Sequence, residues 1–204
     1  ALVPLDFENT KGAEPEVKAC FGAAVSALVA AGLRVEIEKL PEFPASEMAG
    51  LIITAEALST FENFYRDGGV RKLRDAYAPH QPEINRAVTG ADLVKAWRMR
   101  RVLQETMASF FQRYDVIVTP NFMSVAPPID RDLYETLPYA DPVGAIGNAC
   151  GLPAIALPCG FGAHHLPAGF QIVGAPWDEA LLLDLGELYQ KRTGFHRGRP
   201  PLAA

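Results

Sequence analysis

The sequence predicts an α/β fold, a three-layer arrangement of one β-sheet flanked by helices, and three observations predict it. Helical and strand-like patterns alternate along the chain from Glu14 onward. The runs at Tyr114–Thr119, Ala154–Leu157 and Phe170–Val173 are apolar almost throughout, so they need cover on both faces. Between Asp141 and Gly174, Gly and Pro bracket each short run, which marks strands of few residues joined by ordered turns. Strands at Arg34–Lys39, Asp115–Thr119, Ala154–Pro158 and Gly169–Gly174 are expected to share the sheet.

At 204 residues the chain has the size of a single domain, and no linker or repeat divides residues 1–204. Its 49% hydrophobic and 21% charged residues can build a core. A net charge of −5 argues against a nucleic-acid surface. Cys20, Cys150 and Cys159 are odd in number and form no C-x-x-C pair, which suits reduced thiols in a cytosolic, cytoplasmic protein. No run reaches membrane-spanning length and no signal peptide is visible, so no membrane partner is expected. The chain opens on Ala1 rather than Met, which hints at a fragment or a processed form.

Taken in order, Leu2–Phe7 reads as a terminal strand. A helix opens at Glu14-Pro15-Glu16, with Pro in the first turn and acids near the positive end of the dipole. Val17, Phe21, Ala24, Val25 and Leu28 give its apolar face, and Gly32 stands where the C′ residue belongs. Leu33, Val35 and Ile37 alternate with Arg34, Glu36 and Glu38, as in a strand with one wet face. Ala45–Tyr65 is a second helix, with Met48, Ile52, Leu58 and Phe61 apolar and Gly68-Gly69 as its stop. Val70–Arg86, with Pro79 and Pro82, reads as short helix and loop.

Thr89-Gly-Ala-Asp92 fits a capping box for a helix running to about Arg113. On that helix Ala96, Trp97, Leu103, Met107, Phe110 and Phe111 share one face, and Arg100 falls inside it. A guanidinium there needs a partner, since an unpaired buried charge costs several kcal/mol. A structural ion pair, a snorkelling stem and a ligand contact all remain open for it. The last helix spans Trp177–Arg192, with Leu181, Leu182, Leu185 and Leu188 as its core face and Gly194 after it. The Pro-rich tail 195–204 is expected to fray.

Chemistry-bearing motifs are few. Ser26, Ser46, Ser59, Ser109 and Ser124 are solitary, with no Gly/Ser-rich run and no G-x-S-x-G elbow, so no catalytic residue is assigned. His164-His165 lie in a hairpin loop and His80 and His196 stand alone, which does not spell a metal site. No nucleotide-binding glycine pattern occurs, and no cofactor is expected.

The strings Asn148-Ala-Cys-Gly-Leu-Pro-Ala-Ile-Ala-Leu-Pro-Cys-Gly160 and Leu166-Pro-Ala-Gly-Phe-Gln-Ile-Val-Gly174 resemble the distal part of amidase signature enzymes. Upstream, Tyr114-Asp-Val-Ile-Val-Thr-Pro120 and Ala126-Pro-Pro128 match that family in the same order. The resemblance runs from Glu14 to about Thr193 and concerns the second half of the family's fold. It implies a mixed β-sheet flanked by helices, an αβα sandwich, from the C-terminal portion of a hydrolase acting on carboxylic amides. That family uses a Ser-cisSer-Lys mechanism, whose residues would lie outside this chain.

The resemblance carries over two substrate contacts from the glutamine-using branch. Arg100, fifteen residues before Asp115, would hold a substrate carboxylate, and Asp141, seven before Asn148, a substrate amino group. Asp141-Pro142 is equally a turn dipeptide. Asn148, Gly151, Pro153, Gly169 and Gln171 belong to the family motif, with Asn148 and Gln171 expected to brace backbone. The implied partners are a small-molecule amide and either the missing N-terminal amidase half or a second copy in a dimer. No direct nucleic-acid partner is implied. The alternatives are a non-catalytic truncated paralogue serving as a binding module, or the glutamine amidase component of a tRNA-dependent amidotransferase.

Overall fold

The computed structural model describes residues 1–4, 13–73, 85–131 and 143–199. Within these, five strands form one sheet in the order β2-β1-β3-β5-β4, with β1 at Leu2–Pro4, β2 at Glu36–Glu38, β3 at Val116–Pro120, β4 at Ala154–Phe161 and β5 at Pro167–Gly174. β2, β1 and β3 run parallel, whereas β3-β5 and β5-β4 are antiparallel, so the sheet is mixed. The expected strands do share one sheet, joined by β1. Residues 5–7 of the expected terminal strand lie outside the described residues, as do Pro79 and Pro82.

Six helices accompany the sheet among the described residues: α1 Pro15–Ala30, α2 Ala45–Thr60, α3 Glu62–Arg66, α4 Gly90–Phe110, α5 Gly144–Cys150 and α6 Glu179–Thr193. The alternation along β3 explains the layers. Val116 and Val118 face a core with Val17, Phe21 and Leu28 of α1 and Leu182 and Tyr189 of α6. Ile117, pointing the other way, packs with Met48 of α2, Leu103, Met107 and Phe110 of α4, and Ile146 of α5. Helices on both faces are why a strand apolar at every position is stable here. No described helix is long and apolar enough to cross a membrane.

Several elements depart from the sequence reading. The strand at 34–39 shrinks to Glu36–Glu38, and Ile37, expected on the covered face, is 62% exposed. The strand lies at the sheet edge, where the Tyr114 hydroxyl donates to the carboxylates of Glu36 and Glu38 on the other face. The helix at Ala45–Tyr65 breaks at Phe61, which is exposed, and continues as α3 until Gly68 adopts a left-handed φ of 71°. In α4 the capping box is present in both arms, Asp92 N–H to Thr89 Oγ1 and Thr89 N–H to Asp92 Oδ2. Trp97 is 42% exposed rather than core. On α6, Leu182 is buried but Leu181 is exposed, and Gly186 and Tyr189 complete the face instead. The tail residues Phe195–Arg197 form a turn against β4 rather than fraying, while 200–204 lie outside the described residues.

Candidate functional site

Strand register fixes which residues share the α4–α5 face of the sheet. Ile117 lies opposite Val173 and Val173 opposite Ala154, all on that face. One row further along, Thr119 lies opposite Gln171 and Gln171 opposite Ala156. Helices α4 and α5 cover Ile117 and Val173, yet Ala154 and Ala156 are exposed. This face is therefore partly open where it turns from apolar to polar.

Beyond that row, the Asn121 N–H donates to Gly169 O at 3.1 Å. A Cβ on Gly169 would lie 2.8 Å from Asn121 Nδ2, so the motif glycine lets the Asn121 amide lie against β5. Thr119 is fully buried and its Oγ1 has no hydrogen-bond partner among the described residues. Gln171 is 9% exposed. Thr119, Gln171 and Asn121 thus gather a hydroxyl and two carboxamides at one end of the sheet. The loop that leaves β3 here is pinned by Glu14, whose N–H donates to Met123 O and whose Oε2 accepts from Val125 N–H.

Arg100 is half-buried on α4. Its Nε–H donates to Ala149 O of α5 at 2.6 Å, and its guanidinium carbon sits 5.1 Å from the Trp97 ring centroid. The partner demanded by its position on the apolar face is a backbone carbonyl at a helix end, where a cation is favoured. Asn148 is exposed on α5. Gly151 ends that helix at a left-handed φ of 69°, with the Leu152 N–H returning to Gly147 O at 2.9 Å. Pro153 follows, its carbonyl accepting from Gly174 N–H. The motif residues Gly151, Pro153 and Gly169 therefore act through the backbone. Asp141, the other half of the expected clamp, lies outside the described residues.

The described residues offer no activated nucleophile. Burial pushes the Cys150 thiol up to about 11 despite the opposing charge of Arg100. Cys159 is pushed to about 12, mainly by burial. Neither is a thiolate near neutrality. The hydroxyls of Ser26 and Ser109 donate to Gly22 O and Glu105 O, one helical turn back. No group of three or more metal-ligating side chains occurs among the described residues. The polar groups of the described residues can accept and donate hydrogen bonds, and none of them is an activated nucleophile. Sequence reasoning passes over Thr119 and Asn121, although Thr119 is the one polar residue in Val116–Pro120 and is a visible signal.

Comparison with known proteins adds a frame for this face. The family model described as Amidase matches residues 3–183. A glutamyl-tRNA(Gln) amidotransferase subunit of Acinetobacter baylyi is 29% identical over 225 residues, covering 98% of this chain and 46% of that protein. A fatty acid amide hydrolase of Medicago truncatula is 31% identical, over 95% of this chain and 33% of its own length. Among solved structures, Kluyveromyces lactis allophanate hydrolase superposes with a TM-score of 0.79 at 19% identity, covering 94% of this chain and 31% of that one. A 6-aminohexanoate cyclic dimer hydrolase gives 0.78 at 20% identity, over 98% and 46%. The structural likenesses speak to fold, and the chain spans less than half the length of these relatives.

Proposed function

The chain belongs to the amidase family, and from that premise we propose that it forms the C-terminal wall of an amide hydrolase whose attacking residues lie outside these 204 residues. One observation carries the reading: the sheet face is open at Ala154 and Ala156, beside a buried polar row of Thr119 and Gln171, and no activated nucleophile occurs among the described residues. Such a face can orient an amide while another part of the protein attacks it.

In the family's Ser-cisSer-Lys chemistry, a serine oxygen attacks the amide carbonyl and its proton passes through the second serine and the lysine to the leaving amine. Water then hydrolyses the acyl-enzyme. This chain would supply orientation only. The 204 residues are read as one structural unit, since both cores share one sheet, and the three free cysteines suit a cytosolic setting.

The test is turnover. The 204-residue chain alone is expected to leave glutamine and simple aryl amides intact, and a longer protein with an N-terminal amidase portion to hydrolyse one of them, sensitive to a serine-directed inhibitor. Serine-inhibitor-sensitive turnover by the short chain would overturn the proposal.

The glutamine-using reading keeps its own support. Arg100 commits Nε–H to Ala149, leaving its terminal nitrogens to reach a carboxylate, and Asp141 lies in the segment leading into α5. We propose these two as an amino-acid clamp. In an active full-length protein, Arg100→Lys should then raise KM for glutamine well above its effect on kcat. An unchanged KM would remove the clamp and leave the amidase reading standing.

A further inference from the structure

We propose that the pocket between the tip of the β4–β5 hairpin and the turn after α6 binds a small carboxylate carrying an apolar body. Arg199 and the imidazoles of His164, His165 and His196 would take the carboxylate, with Phe161 and Phe195 against the body.

The cavity measures about 500 Å³, within the roughly 300–1,000 Å³ range typical of small-molecule sites. Three histidines and one arginine line it, and none of the described lining residues is Asp or Glu, so the Arg199 guanidinium has no counter-charge among them. Arg199 is exposed at the rim, and its Nη1 has only 3.4 Å contacts to the carbonyls of His196 and Gly198. Those contacts are long for hydrogen bonds and do not neutralise the guanidinium. His196 Nδ1 is buried with no hydrogen-bond partner among the described residues, a position that a bound polar group would relieve.

The apolar side is equally formed. His165 stacks on Phe161 with ring centroids 4.2 Å apart and planes 11° from parallel, giving a flat wall suited to an aryl or short acyl chain. His164 and His165 hold φ of 54° and 59°, a left-handed region that non-glycine residues seldom occupy, in the turn at the hairpin tip. A phosphate fits less well, because it has no apolar body to fill the Phe161 and Phe195 side of the pocket. A neutral apolar molecule would leave the Arg199 guanidinium unanswered.

Ligand-observed NMR titration of the 204-residue chain decides, using 4-phenylbutyrate, 4-phenyl-1-butanol and inorganic phosphate as probes. The acid is expected to saturate with a Kd of about 1 mM or tighter, and the alcohol and phosphate to bind at least about tenfold more weakly. Arg199→Gln, at an exposed position, should weaken the acid about five- to tenfold with no change for the alcohol. His165→Asn should weaken it too, since Asn tolerates the left-handed backbone and only the ring is lost. No saturation by the acid up to about 20 mM, equal binding of the alcohol or of phosphate, or wild-type affinity in both variants would each overturn the proposal.

Discussion

Tyr114 shows how one side chain fixes an edge of the sheet. Its hydroxyl oxygen lies 2.5 Å from Glu38 Oε2 and 3.1 Å from Glu36 Oε2. The hydrogen bond to Glu38, then burial, then Glu36 push its pKa up to about 12. A phenol whose folded pKa exceeds the unfolded value of about 10 contributes stability that is fully present below pH 10. That contribution is lost as pH rises from about 10 towards 12. The stability difference between wild type and Tyr114→Phe should therefore stay constant to about pH 10 and narrow above it; parallel curves throughout would refute this. Arg100 makes a second residue-level case. Arg100→Met should lower stability by about 2 kcal/mol in denaturant unfolding, since a charge-assisted hydrogen bond to Ala149 O and the Trp97 contact both go. At Gly151 the left-handed φ makes Gly151→Ala cost about 1 kcal/mol and Gly151→Asn less. Equal costs for Ala and Asn would mean that the backbone conformation is not what the glycine provides.

Among the elements, α4 was legible because its signals are local. Thr89 and Asp92 sit three apart, and both capping bonds form. Thr89→Ala should cost about 1 kcal/mol and speed amide exchange in the first turn of α4, leaving the exchange of β5 unchanged. The β4–β5 hairpin was also legible, since Gly and Pro mark its ends, though each strand runs on through Pro158 or from Pro167 for eight residues. The edge position of β4 accommodates Pro158, whose missing N–H breaks no inner ladder. Helix α5 was not legible: Gly144 and Gly147 lower its propensity, and contacts with α2 and α4 hold it in place. The exposure of Ile37 in β2 was hidden for a similar reason. Alternation shows that a strand has two faces, but its edge position and the Tyr114 bonds to Glu36 and Glu38 come from partners far along the chain. Of the site, Arg100 was visible from helical periodicity, whereas the Thr119–Gln171–Asn121 grouping needed strand register, which no single run of sequence contains.

At the scale of the molecule, the question is what covers the surface that this chain leaves open. Among the described residues, Ala154 and Ala156 present an exposed sheet face beside the polar row, and β2 and β4 are both edge strands with one unpaired side. Exposed apolar side chains add to this: Ile53 of α2 at 63%, Val94 and Trp97 of α4 at 49% and 42%, and Phe61 and Phe64 at 53% and 41%. Scattered exposed apolar residues are ordinary, but an open sheet face with two free edges invites pairing with another chain. Relatives that are at least twice as long have further chain available to cover such a surface. The 204-residue chain is therefore expected to self-associate when alone, with light scattering giving a mass above that of one chain and an apolar-surface dye binding it. Adding an N-terminal amidase portion in trans should lower the dye signal and shift the mass to that of a one-to-one complex. The dye signal matters more than the mass, because a dimer through some unrelated patch would leave Ala154 and Ala156 bare. Charged substitution at Ala156, Ala156→Glu, separates the two: it should block the complex while leaving the fold intact, since the side chain points to the open side. A dye-silent monomer in dilute solution would mean that the 204 residues close their own surface, and the proposal of an incomplete active site would fall with it.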